Sequence, residues 1–293
     1  MKLGAIEAGG TKFVCAVGNE LGEVFERISI PTTAPEITMS AVDQFFIKNE
    51  IEALGIGSFG PINIDLDSRT FGFITNTPKV LWQNYDFMGY LKQHLEVPMY
   101  WTTDVNEAAF GESQLGAAKN VNNSIYLTIG TGVGGGIINN NHIFNGRTHS
   151  ELGHMRINRL PQDTFSSNCP FHDVCLEGFV SGPAIEKRTG LASKCLATDD
   201  PTWKIIADYI AQACVNLTVA FAPDKIILNG GVMHQIQLFE IVRSKFKNYF
   251  NNYEELPPLN SYICSAGLKE DSGIVGGLLL GKKALIKNNF QNV

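Results

Sequence analysis

The chain has 293 residues, is 44% hydrophobic and 18% charged, and carries a net charge of −6. That is an ordinary globular composition with room for two packed domains. The acidic balance argues against nucleic acid as a partner, because phosphate backbones recruit basic surfaces. No apolar run reaches the about 20 residues of a membrane-spanning helix, and the start, MKLGAIEAGG, lacks the parts of a signal peptide. No membrane partner and a cytoplasmic location are expected.

The chain opens on strand-like runs, LGAIEAGG, KFVCAVGN and VFERISIP, joined by tight turns that predict an antiparallel meander. A helix is expected over 35–49, with Ile37, Val42, Phe45 and Phe46 at apolar spacing. ALGIGSFG reads as a buried strand, FGFIT as a pairing segment, 86–96 as a helix, PMYWTTD as a strand and VNEAAFGESQLG as a helix. The theme then repeats. NSIYLTIG and GGGIINNN read as strands about a glycine turn, and 201–222 as a long helix. KIILNGG, a helix over 235–250, SYICSAG and a glycine-rich helix from Ser272 follow. Strand, glycine turn, strand thus occurs at EAGGTKFVCAV and again at TIGTGVGGGII. The repetition predicts a duplicated α/β architecture with a cleft, residues 1–118 and 119–293 forming its halves. The last helix has the option of packing back on the first half.

Two of these turns suit phosphate. GTGVGG, Gly130 to Gly135, matches the dinucleotide fingerprint, but that fingerprint needs a helix after its glycines, and GGIIN reads as a strand. A hairpin turn whose backbone N–H groups form an anion nest is the better reading. EAGGTK offers a second such turn, with Gly9 and Gly10 for close approach, the Thr11 hydroxyl and the Lys12 cation. No P-loop pattern is present. LNGGV, with Gly230 and Gly231, is a third turn and could lie against an adenosine. A plain tight turn explains EAGGTK and LNGGV equally well when each is taken singly.

Asp104 ends a strand and precedes a helix, where an N-cap belongs; facing a cleft, it could also serve as general base toward an attacking hydroxyl. Glu151 in HSELGH and Glu177 in CLEG are suited to accept hydrogen bonds from hydroxyls, or are plain surface charges. His154, Cys169, His172 and Cys175 follow the spacing H-x14-C-x2-H-x2-C, a ligand set for tetrahedral zinc. Four protein ligands leave no open position, so such a zinc would be structural. The loop 154–177 has no periodicity and gains most from a metal. Cys15, Cys195, Cys214 and Cys264 sit in apolar patterns and are expected to be buried free thiols.

EAGGTKFVCAVG, GIGSFGP, TTDVNEAAFGE, TIGTGVGGG, ELGHM, CPFHDVCLEGFVSGPAIEKRTG and ILNGGVM, in this order, resemble the ROK family of sugar kinases and repressors. The likeness is closest to its bacterial fructokinases and spans nearly the whole chain. It implies two ribonuclease-H-like domains of the actin-like ATPase type, with ATP and Mg²⁺ in the cleft and a hexose, fructose favoured, as acceptor. By this resemblance Asp104 is the catalytic base, and Glu151, His154, Glu177 and Asn106 meet the sugar. His154 would also ligate the zinc. Gly9, Gly10, Thr11 and Lys12 match the first phosphate loop, and Thr131 and Gly132 the second. Gly230 and Gly231 match the adenosine loop, and Pro183 the nucleotide pocket. A homodimer is implied. Glu7 stands where the wider family has Asp, and His172 where it has a third cysteine. Glucose, mannose or an N-acylhexosamine remain alternative acceptors. A non-catalytic sugar sensor and a zinc-dependent hydrolase are readings from other classes.

Overall fold

The computed structural model describes residues 1–291, which form two compact units. The first comprises Met1–Lys119, His142–Ser150 and the C-terminal segment from Gly267, the second Asn120–Asn141 and Glu151–Ala266.

In the first unit, β1 (Leu3–Ala8), β2 (Lys12–Gly18) and β3 (Val24–Pro31) form the expected meander. Helix α1 (Pro35–Asn49) follows, with Pro35 at its first position, where the missing N–H costs nothing. Then come β4 (Ala53–Ser58), the short pair β5 (Phe73–Ile74) and β6 (Tyr85–Asp86), α2 (Phe87–His94), β7 (Met99–Thr103) and α3 (Asp104–Gln114). The sheet order is β3-β2-β1-β4-β7, with β1, β4 and β7 parallel.

The second unit repeats this plan with β8 (Ser124–Ile129) and β9 (Val133–Asn139) as an antiparallel hairpin. The chain turns through Asn140 and Asn141, both at positive φ, into β10 (His142–Ile143) of the first unit. It returns for α4 (Leu176–Val180), α5 (Gly182–Thr189), α6 (Thr202–Phe221), β11 (Lys225–Asn229), α7 (Gln237–Phe250), α8 (Leu259–Tyr262) and β12 (Ile263–Ser265). Strands β9, β8, β11 and β12 lie in that order, with β8, β11 and β12 parallel. Part of SYICSAG, read as strand from sequence, is the single helical turn α8. The last helix, α9 (Ser272–Gln291), belongs to the first unit.

Alternation along β1 separates two cores. Ile6 and Ala8 join Phe13, Phe46, Ile56, Trp82 and Phe87 on one face of the sheet. Leu3 and Ala5 meet Ile274 and Leu278 of α9 on the other. The α9 approach is close enough that a side chain on Gly55 of β4 would strike the Gly277 backbone. The segment 142–150 joins the first unit through polar contacts that no periodicity announces. The Ile62 amide donates to His149 Nε2 at 3.1 Å, and Asn106 Nδ2 reaches Asn145 Oδ1 at 3.4 Å.

In the second unit, α6 and α7 pack Trp203, Ile206, Ile210, Val242 and Phe246 against Ile125, Leu127 and Ile226. By length and composition α6 could cross a membrane, yet these apolar residues are the unit's own core. Cys15 and Cys214 are buried as expected, but Cys195 is exposed and Cys264 half-buried. Cys195 falls on the turn Ser193–Cys195, which has no buried residue, and the neighbouring Leu196 takes the core position instead.

Candidate active site

Because β1, β4 and β7 are parallel, their carboxyl ends share one edge of the sheet, the edge where α/β proteins place their chemistry. There β1 enters the turn Gly9–Thr11, β4 reaches the cis Gly60–Pro61 bond, and β7 runs into Asp104. The turn is tied down by the Gly9 amide donating to the Lys12 carbonyl at 3.0 Å and by Thr32 Oγ1 donating to the Gly9 carbonyl at 2.7 Å. Thr11 and Lys12 are exposed above it.

The cap of α3 is Thr103, whose hydroxyl accepts from the Asn106 amide at 3.2 Å. Asp104 is the first helical residue and accepts from the Val105 amide at 2.8 Å. The capping explanation for an acid here therefore belongs to its neighbour. Asn106 is buried, and its side-chain amide is used on Thr102 and Asn145, within the unit.

Sequence reasoning missed what surrounds Asp104. Glu107, one helical turn on, is fully buried, and neither of its carboxyl oxygens finds a hydrogen-bond partner among the described residues. Burial first, then the charges of Glu7 and Asp104, push it well above the usual carboxylate range. The nearby Gly57 amide eases the charge without reaching hydrogen-bonding geometry. Glu7, on β1, is raised to about 7 by burial and by Asp104, with Lys12 and Arg27 pulling the other way. The burial of Glu107 thus favours its protonated form, and Glu7, at about 7, is poised between its two forms. A pattern such as VNEAAFGE shows an ordinary amphipathic helix start; only packing reveals that its Glu is inside.

The second unit brings its glycine turns together. Gly130, Thr131, Gly182, Pro183, Gly231 and Val232 line an open cavity of about 470 Å³, joined by Glu186, Lys194 and His234, which the sequence did not single out. The Gly182 amide donates to the Gly130 carbonyl at 2.7 Å, fixing the start of α5 beside the β8–β9 turn. Gly230 is required as glycine: its φ is +93°, and a Cβ would stand 2.6 Å from the Ile129 backbone. Gly132 packs toward Glu177, whose Oε2 accepts from the Val133 amide at 2.9 Å. Glu177 therefore braces the second glycine turn as well as standing beside it. Glu151 is exposed.

The ligating atoms of His154, Cys169, His172 and Cys175 all lie within 4.8 Å of one another, a spacing that one ion can bridge. Cys169 Sγ is 3.9 Å from His154 Nδ1 and 3.5 Å from His172 Nδ1; Cys175 Sγ is 3.9 Å from His154 Nδ1. Burial pushes the Cys175 thiol up to about 11, so a bound cation would have to offset the cost of its thiolate. The loop is also held without metal. Asp163 takes both guanidinium nitrogens of Arg188, at 2.6 and 2.9 Å, and the Tyr209 hydroxyl at 2.6 Å. Burial opposes its charge, but these partners outweigh that and hold Asp163 below the usual carboxylate range.

A model of the ROK family matches residues 3–284. The chain belongs to the ROK family. Within that family it is 66% identical, over 97% of its length and 99% of the relative's, to a fructokinase of Pediococcus pentosaceus. It is 45% identical, over 97% and 98%, to a fructokinase of Lactococcus lactis subsp. cremoris. Among solved structures it is similar to a ROK hexokinase from Thermus thermophilus, with TM-score 0.82 and 26% identity over 98% of this chain and 100% of that one. A ROK glucokinase from Streptomyces griseus, solved with glucose and AMPPNP, shares the fold at TM-score 0.78 and 24% identity, over 97% and 100%. The ROK fold seen here is the expected duplicated α/β type.

Proposed function

We propose that this ROK chain is an ATP-dependent fructokinase that makes fructose 6-phosphate, with Asp104 as its general base. The observation that carries the reading is the division of labour at the start of α3. Thr103 caps the helix, so an acid at the next position has no capping task and stands at the carboxyl edge of the sheet. In the proposed step the sugar hydroxyl oxygen attacks the γ-phosphorus and its proton passes to Asp104. The bond to the β–γ bridging oxygen breaks and ADP leaves. General-base help of this kind is worth about 10²–10⁴-fold. Mg²⁺ bound with the ATP supplies charge neutralisation at the phosphates.

The Gly9–Lys12 turn and the Thr131–Gly132 turn would hold phosphate, and the cavity by Pro183, Gly230 and Gly231 the adenosine. Glu151, His154, Glu177 and Asn106 are the proposed hydroxyl partners, although the Asn106 amide is already engaged on Thr102 and Asn145. His154, Cys169, His172 and Cys175 would hold a structural zinc. Tetrahedral zinc sets sulfur–nitrogen separations of about 3.5 Å, beside 3.5–3.9 Å in this chain. His154 Nδ1 is the atom turned to the cysteines, which leaves Nε2 for a sugar hydroxyl.

A coupled ADP-release assay over a panel of hexoses tests the reading. Fructose should be the preferred acceptor, and Asp104→Asn should lose about 10³-fold in turnover while keeping its ADP affinity. Glucose turned over far faster than fructose would overturn the substrate, and a fully active Asp104→Asn variant would overturn the base.

A further inference from the structure

Lys79 lies in none of the motifs read from the sequence. It opens the tight turn Val80–Trp82, in the segment that joins β5 to β6. That segment is exposed in part, yet its backbone is pinned. Trp82 Nε1 donates to the Thr33 carbonyl at 2.8 Å, and Gln83 Nε2 to the Thr77 carbonyl at 2.8 Å. The Lys79 amide donates to Thr77 Oγ1 at 3.3 Å, and the Lys79 carbonyl accepts from the Trp82 amide at 2.8 Å. The Trp82 ring is buried and packs 5.2 Å from the ring of Phe13, the residue that follows Lys12. One aromatic cluster therefore anchors both the strand that carries Lys12 and the turn that carries Lys79.

From this anchor the Lys79 side chain runs over the first glycine turn. Its Cε lies 3.3 Å from where a Cβ on Gly10 would stand and is the nearest heavy atom to that point. Its ammonium makes no hydrogen bond or ion pair among the described residues. Glu7, at the end of β1, has Lys12 and Arg27 as the cations that act on it. A lysine without a counter-ion, laid across a glycine turn from a rigid base, is a point charge waiting for an anion. Phosphoryl transfer spreads negative charge over the equatorial oxygens of the moving group, and catalysis there is chiefly positioning and charge neutralisation.

We propose that Lys79 is a further phosphate-binding residue, its ammonium contacting the phosphoryl group that is transferred at the Gly9–Lys12 turn. This rests on the kinase reading above. Because Lys79 is exposed and its backbone bonds are independent of its side chain, Lys79→Met should fold and melt like the parent chain. In the full-length protein it should lose about 10²-fold in kcat, the scale for removing one preorganised charge donor. Its affinity for AMPPNP should fall while that for ADP, which lacks the terminal phosphate, stays unchanged. Lys79→Arg should recover most of both losses. A merely structural role would lower the two nucleotide affinities together and would not be repaired by arginine. Unchanged kcat with an unchanged AMPPNP-to-ADP ratio would overturn the proposal, as would a loss confined to fructose or fructose 6-phosphate affinity. If the parent chain phosphorylates no hexose at all, the kinase reading itself has failed. The AMPPNP-to-ADP comparison still decides whether Lys79 meets the terminal phosphate.

Discussion

The two units share a sheet plan but differ in what they place at its carboxyl edge. In the first, the hairpin turn stands among ionisable side chains: Glu7, Asp104 and Glu107 from β1 and the start of α3, with Lys12 and Lys79 at the turn itself. In the second, the matching turn opens on a cavity lined largely by glycine, proline and small side chains. On the proposed reading, the first edge moves a proton and holds charge, and the second admits the flat adenosine against backbone. Duplication supplied the scaffold, and the difference in side chains at equivalent strand ends supplied the division of tasks.

The sharpest way to probe the second unit is through its Cys/His loop. Cys175→Ser should abolish metal binding, read by elemental analysis, and cost about 4 kcal/mol in denaturant unfolding, the range for losing a structural ion. Full stability with no metal in either form would leave the Asp163–Arg188–Tyr209 bonds as the loop's sufficient support. A smaller effect is expected at Gly230, where alanine would have to adopt a strained backbone against Ile129. Gly230→Ala should cost about 3 kcal/mol and weaken ADP binding; an unperturbed variant would mean that the cavity rim yields easily.

The smallest effect concerns the acidic edge of the first unit. Glu7 is raised in the folded chain to about 7, above its ordinary 4.5. The unfolded chain therefore ionises first as pH rises. The favourable contribution of Glu7 is complete below about pH 4.5 and is lost as pH climbs through 7. Glu7→Gln should flatten this dependence, gaining about 2 kcal/mol over the parent chain at pH 8 relative to pH 5, after allowance for its partial contact with solvent. Parallel stability profiles for the two proteins would show that Glu7 is ionised without cost and that the edge is less closed than its packing indicates.

Much of this was readable along the chain. Apolar periodicity located α1 at its observed bounds, and the glycine turns were placed because a strand that ends in glycines leaves few other conformations. The Cys/His spacing needed only one loop to close on itself, so local distances already implied the cluster. Other features were not readable, and the reasons are physical. An acid between a strand and a helix can be the cap or the base, and only the backbone shows that Thr103 takes the first role. The His142–Ser150 excursion rests on single polar bonds, which leave no period in a sequence.

By itself, then, the sequence determined the repeated strand–turn–strand plan, the family and the residue types at each strand end, because those depend on local periodicity and on side chains the chain must carry. The tertiary structure alone decided which of those groups lose water and which gain one another as neighbours. Glu107 lost its water, and its carboxyl was pushed well above the usual range, only when Gly57 and α9 closed over it. Lys79 came to lie on Gly10 only because Trp82 and Phe13, far apart in the chain, share one core. Burial and proximity between distant segments set the charge states at the site, and neither is encoded in any one stretch of the chain.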